Sequence, residues 1–126
     1  MALGIDSKKI LIAEDDNFLR GMYQSKLEME GFLVDSAENG KQALKAVEKN
    51  PPDLILLDIL MPVMNGFEFL RQLQASKKYR KIPVILLTNL SGKEDVDKGI
   101  QLGAKDYLVK VHFTPEEVIK KIKEHI

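Results

Sequence analysis

Five short apolar runs alternate along the chain with five segments of helical periodicity, and this alternation constrains the fold more than any other feature. The run Leu54-Ile55-Leu56-Leu57 sets the type. Four consecutive apolar residues predict a strand buried on both faces, the kind found inside a parallel sheet. Ile10-Leu11-Ile12-Ala13 and Val84-Ile85-Leu86-Leu87 read the same way. Leu33-Val34-Asp35-Ser36 mixes polar with apolar, as an edge strand can, and Asp106-Tyr107-Leu108-Val109 supplies the fifth strand.

The intervening segments carry helix signals. A helix following Asp16 extends to about Glu30, with a stripe of Phe18, Leu19, Met22, Tyr23 and Leu27, and Gly31 closes it. Asn39 is placed to cap a helix bearing Ala43, Leu44 and Val47, which Asn50-Pro51-Pro52 stops. Asn65 caps a third, with Phe67, Leu70 and Leu73 inward. Ser91 with Glu94 predicts a capping box for a weakly amphipathic fourth helix (Val96, Ile100) ended by Gly103. Thr114-Pro115-Glu116-Glu117 predicts another for the fifth, whose stripe is Val118, Ile119, Ile122 and Ile126.

Strands alternating with helices predict an α/β fold of the flavodoxin-like, doubly wound kind: a five-stranded parallel sheet with helices on both faces. The polar second strand belongs at an edge, which gives the order 2-1-3-4-5. The topological switch then lies between strands one and three, where ligands of such sheets bind at the carboxyl ends. One domain is expected over residues 1–126, with 1–7 a frayed polar leader. No apolar run approaches the roughly 18 residues that span a bilayer, and no signal peptide is recognised, so the cytoplasm is the expected compartment. The 19 basic and 19 acidic residues balance, so no global field draws the chain to nucleic acid or membrane. With no cysteine, neither a disulfide framework nor a thiol nucleophile is available.

The strand ends carry the chemistry. Strand one ends in Glu14-Asp15-Asp16 and strand three in Asp58, so these acids should converge. Crowded carboxylates cannot all stay ionised in a dry site, and a divalent cation resolves the conflict. All-oxygen donors suit Mg2+ or Mn2+. Asp16 also fits a plain helix start, where acids are favoured. Strand four adds the Thr88 hydroxyl and strand five the Lys110 ammonium. Carboxylates, a metal, a hydroxyl and a lysine together make a site for a transferring phosphoryl group.

At these residues the chain resembles the response-regulator receiver domains of two-component signalling over nearly its whole length. The run Ile10 to Asp15, the segment Asp58-Ile59-Leu60-Met61-Pro62-Val63-Met64-Asn65-Gly66, and Thr88, Tyr107 and Lys110 carry the likeness. The resemblance implies that Asp58 is the phosphoacceptor for a phosphohistidine of a sensor histidine kinase or phosphotransfer protein. It implies Mg2+ held by Asp15, Asp58 and the backbone carbonyl of Leu60, with Glu14 contributing through water. Thr88 and Lys110 would bind the phosphoryl group, and Thr88 and Tyr107 would switch the face of helix four, strand five and helix five. The implied protein is a regulatory domain that catalyses its own phosphotransfer and slow dephosphorylation, not an enzyme acting on other substrates. Its implied partners are the donor kinase, an output protein and, on phosphorylation, a second copy, with no direct contact to nucleic acid or membrane.

Four positions depart from the commonest pattern of that family: Val111 where proline usually follows the lysine, Asn89 after Thr88, and apolar Leu60 and Leu90 at the mouth. Without proline the Lys110–Val111 bond should be trans. Lys77 to Lys81 reads as a solvated turn, His112 and His125 lack ligand spacing, and Met61 and Met64 pack locally. A flavodoxin-type cofactor binder would want a Ser/Thr/Gly-rich loop where three acids stand. A haloacid-dehalogenase-type phosphatase would want a second Asp where Leu60 stands.

Overall fold

The computed structural model describes residues 7–126; the first six residues of the expected leader lie outside the described residues. Five strands, β1 (Lys9–Ala13), β2 (Leu33–Ala37), β3 (Leu54–Leu57), β4 (Val84–Thr88) and β5 (Asp106–Val109), form one parallel sheet in the order β2-β1-β3-β4-β5. Five helices connect and follow them: α1 (Asn17–Met29), α2 (Gly40–Lys49), α3 (Gly66–Ala75), α4 (Lys93–Gln101) and α5 (Pro115–Glu124). The expected α/β order is the observed one.

Side chains alternate across a strand, so the sheet sorts its residues into two cores. Ile10, Ile12, Leu54, Leu56, Ile85, Leu87 and Leu108 pack against Tyr23 and Leu27 of α1 and Val118, Ile119 and Ile122 of α5. Leu11, Ala13, Ile55, Leu57, Val84 and Leu86 pack against Ala43 and Val47 of α2 and Phe69, Leu70 and Leu73 of α3.

Most helix ends follow the sequence signals. Asp16, Asn39, Asn65 and Thr114 each accept a backbone N–H of the first turn. At α5 the Thr114 N–H donates in return to the Glu117 carboxylate, which completes the capping box, with Pro115 inside the start. Gly31 and Gly103 adopt positive φ angles of 98° and 102° just past the ends of α1 and α4, a conformation that disfavours a Cβ.

Other expectations fail for identifiable reasons. The Ser91 box does not form; α4 starts one residue later, at an uncapped Gly92. Its only buried residue is Gly99, where a Cβ would stand 2.6 Å from Leu86 Cδ1. Phe18 is 78% exposed, because at about 100° per residue it lies on the opposite side of α1 from the buried Tyr23 and Leu27. In α3 the fully buried aromatic is Phe69, while Phe67 is half-buried and lies under the Lys98 ammonium, 4.5 Å from the ring centroid. A single 3-10 turn, Lys110–His112, follows β5 and was not expected. Among the described residues every peptide bond is trans, Lys110–Val111 included, as the absence of proline predicts.

Candidate functional site

Strand register assembles the acids. Ala13 of β1 is level with Leu57 of β3, so the next residues, Glu14 and Asp58, emerge side by side. The Asp58 N–H donates to the Ala13 carbonyl at 2.9 Å and the Glu14 N–H to the Ala37 carbonyl at 3.0 Å, which carries the ladder one step past the strands. Thr88 is level with Val109, and Lys110 follows. Pleat parity then sorts the polar groups. Glu14, Asp58 and Lys110 continue the series facing α1 and α5, whereas Thr88 and Tyr107 continue the series on the opposite face.

Asp58 is almost fully buried, and both of its carboxylate oxygens are engaged. Oδ1 accepts the N–H of Ile59 at 2.7 Å, and Oδ2 lies 2.9 Å from Lys110 Nζ. The same ammonium lies 2.7 Å from Glu14 Oε1, so one cation bridges two buried carboxylates. Burial pushes the Glu14 carboxyl above its ordinary range, against the lowering pull of Lys110. Burial works against the Lys110 charge as well. The hydrogen bonds it donates to Glu14 and Asp58, with the charges of both acids, outweigh burial and hold the ammonium's pKa above the usual lysine value. Losing one partner from such a set leaves an uncompensated buried charge, at a cost of about 3–5 kcal/mol.

Asp15 is exposed beside this pair. One carboxylate oxygen each from Glu14, Asp15 and Asp58 fall within 4.8 Å of one another. Three hard oxygen donors without nitrogen or sulfur fit a small divalent cation such as Mg2+. Asp16, by contrast, is committed to the helix start: its Oδ1 accepts the Leu19 N–H at 2.9 Å.

The other two expected groups form a separate chain. Thr88 is fully buried, and its Oγ1 accepts the Leu90 N–H at 3.4 Å. The Tyr107 hydroxyl donates to the Leu90 carbonyl at 2.6 Å, so Leu90 joins Thr88 and Tyr107 through its main chain. Burial, helped by the charges of Asp95 and Asp58, raises the Tyr107 phenol above its ordinary value.

The loop after Asp58 is tightly folded. The Met64 N–H returns to the Pro62 carbonyl at 2.7 Å, a three-residue turn centred on Val63, whose φ is 68°. A branched residue in the left-handed region is strained. Gly66 closes the loop with its N–H on the Ile59 carbonyl at 2.9 Å, and a Cβ there would stand 2.3 Å from the Asp58 carbonyl oxygen. Leu60 and Val63 are exposed on this loop, 55% and 77%.

Two features of the site escaped the sequence. Arg20 donates Nη1 to the Glu14 carbonyl at 2.8 Å, and the Glu14–Lys110 pair joins residues 96 positions apart. An arginine one turn into a helix carries no local signal for the first. The second needs the register.

The geometry agrees with what comparison finds. The profile of the response regulator receiver domain family matches residues 10–123. The alkaline phosphatase synthesis transcriptional regulatory protein PhoP of Bacillus subtilis is 38% identical over 117 residues, 93% of this chain and 48% of that protein. The phosphate regulon transcriptional regulatory protein PhoB of Escherichia coli is 37% identical over 117 residues, 93% of this chain and 51% of its own length. The chain thus spans about half the length of these curated relatives. Among solved structures, the chemotaxis protein CheY4 of Vibrio cholerae superposes with a TM-score of 0.88 at 32% identity, covering 95% of this chain and 99% of CheY4. With the sheet order, the buried acids and these likenesses in agreement, the chain belongs to the response regulator receiver domains, the signalling switches of two-component systems.

Proposed function

We propose that Asp58 takes a phosphoryl group from the phosphohistidine of a sensor histidine kinase or phosphotransfer protein in the cytoplasm. The observation that carries this reading is the buried Asp58 carboxylate with Lys110 at 2.9 Å from one of its oxygens. A carboxylate oxygen of Asp58 attacks phosphorus, the O–P bond forms as the donor's N–P bond breaks, and the electron pair leaves with the imidazole nitrogen. Lys110 then pairs with the phosphoryl oxygens. A divalent cation, Mg2+ or Mn2+, held by Asp15, Asp58 and the Leu60 carbonyl, supplies the remaining counter-charge when bound, and Glu14 completes the negative set.

Thr88 carries the signal outward. Its hydroxyl turns to a phosphoryl oxygen, which releases the Leu90 N–H and alters the loop on which the Tyr107 hydroxyl rests. The face of α4, β5 and α5 is thereby reshaped for an output partner or a second copy of the chain. Such a switch is a population shift worth about 1–3 kcal/mol. Exposed Phe18, Leu60, Val63 and Val111, on the segments that follow β1, β3 and β5, give a protein donor apolar surface to dock on.

Acetyl phosphate with Mg2+ tests the reading. Mass spectrometry should show one added phosphoryl group, absent with EDTA and absent in Asp58→Asn. Equal labelling of that variant refutes the assignment. Sedimentation before and after labelling tests the pairing of two copies.

A further inference from the structure

Asp15 is the exposed acid among the three that offer oxygens to a cation, and among the described residues no side chain holds its carboxylate. Its aim is therefore set by its own main chain, by the two peptide planes that meet at its Cα. The plane after it is held by Glu14, whose Oε2 accepts the Asp16 N–H at 3.0 Å. The plane before it is held from further along the chain. Arg20, one turn into α1, reaches back six residues and donates Nη1 to the Glu14 carbonyl at 2.8 Å. Its Nη2 donates to Asn17 Oδ1, and two fixed donors set the plane of the rigid guanidinium. The Arg20 N–H meanwhile donates to the Asp16 carbonyl at 2.9 Å. One residue thus closes the turn on both sides of Asp15.

The two holds differ in what they depend on. Glu14 belongs to the oxygen set itself, so a cation draws on the same carboxylate that fixes the Asp16 N–H. Arg20 grips a main-chain carbonyl and a neutral amide oxygen, neither of which a cation needs. A guanidinium near a metal site also repels the metal. Half-buried at the rim, its charge is screened by water and salt. A ligand left without its support costs more, because the groups that orient metal ligands carry much of the affinity.

We propose that Arg20 is a positioning residue for Asp15: it fixes the turn between β1 and α1 so that the exposed carboxylate stands beside Glu14 and Asp58 before a cation arrives. The inference rests on these three acids forming the metal site.

Mn2+ titration followed by electron paramagnetic resonance tests it without phosphoryl chemistry, at a temperature where circular dichroism shows each variant folded. Arg20→Met should weaken Mn2+ binding about tenfold, the lower end of what is lost when a residue that orients a metal ligand is removed. Asn17→Ala keeps the charge and frees one end of the guanidinium, so it should weaken binding several-fold in the same direction. Labelling by acetyl phosphate should show the matching split in Arg20→Met: a higher Mg2+ concentration at half-maximal rate, with the wild-type rate recovered once Mg2+ saturates. Unchanged Mn2+ binding in both variants overturns the proposal, and so does tighter binding in Arg20→Met, which would make the arginine a repelling charge. Should Arg20→Met fail to fold, Asn17→Ala decides alone, and binding equal to the wild type refutes the role. If the wild type binds no Mn2+, the metal reading fails. If it binds Mn2+ and takes no label, the phosphoacceptor reading fails. If it does both and the variants match it, this inference alone fails.

Discussion

Replacing Gly66 by alanine sets two physical effects against each other. Gly66 opens α3 with an ordinary backbone conformation, so propensity alone favours alanine by up to about 1 kcal/mol. Close approach says the reverse. The new Cβ would stand 2.3 Å from the Asp58 carbonyl oxygen and 2.8 Å from Ile59 Cα, both main-chain atoms that cannot rotate away. Overpacking of this kind costs about 1–3 kcal/mol, and the bond from the Gly66 N–H to the Ile59 carbonyl is worth about 1 kcal/mol more. The net loss is about 1–3 kcal/mol. Unfolding entropy near 2.1 cal/mol/K per residue gives about 0.26 kcal/mol/K for 126 residues, so Tm should fall by roughly 4–12 °C. Because the clash pushes on the main chain of Asp58, the proposed phosphoacceptor, phosphorylation of the folded variant should slow by about a hundredfold, the scale of a 1 Å misplacement. Thermal unfolding by circular dichroism and labelling by acetyl phosphate measure the two effects. A Tm equal to or above the wild type would show that the loop yields freely and that Gly66 is not there for space.

Leu60→Asn and Leu90→Glu should each speed loss of the phosphoryl group several-fold, since a polar side chain at the mouth can hold the attacking water; unchanged decay after donor removal refutes water positioning as the limit. Val63→Asn should raise Tm, because asparagine tolerates the φ of 68° at which valine is strained by about 1–3 kcal/mol. The Tyr23 phenol, pushed up to about 12 by burial, ionises in the unfolded chain first. Its contribution is therefore complete below about pH 10 and lost as pH rises from there toward 12, so urea midpoints should fall less steeply over that window in Tyr23→Phe.

The sheet could be read in advance because each central strand is apolar on both faces, a pattern that few other environments produce. Leu54 to Leu57 and Val84 to Leu87 show this most plainly. The caps at Asn39, Asn65 and Thr114 were legible since the side chain that makes the bond is itself the signal. Ser91 carried the same signal and failed, because the position of α4 is set by Gly99 meeting Leu86 and Tyr107, a contact between distant residues. Phe18 and Phe69 show that apolar character alone misplaces a residue: at about 100° per residue Phe18 lies opposite Leu27, whereas Phe69 shares a face with Leu70 and Leu73. At the site, the residue types were readable from the ends of the strands, whereas their pairing was not. Which acid receives the lysine depends on side-chain reach across three strands.

The attachment of α4 has a consequence for how the molecule breathes. α5 buries Val118, Ile119 and Ile122, carries a complete capping box and is tied to α1 by the Lys26–Glu116 and Lys123–Glu30 ion pairs. α4 buries one glycine and has no side-chain cap. The free energy needed to open a segment locally follows what the segment buries. Amide protons of α4 should therefore exchange with deuterium through excursions far smaller than global unfolding, while those of α5 exchange only when the whole sheet comes apart. A reshaping energy of about 1–3 kcal/mol would be too small to dislodge α5, and α4, which buries the least, is the helix on which it would act.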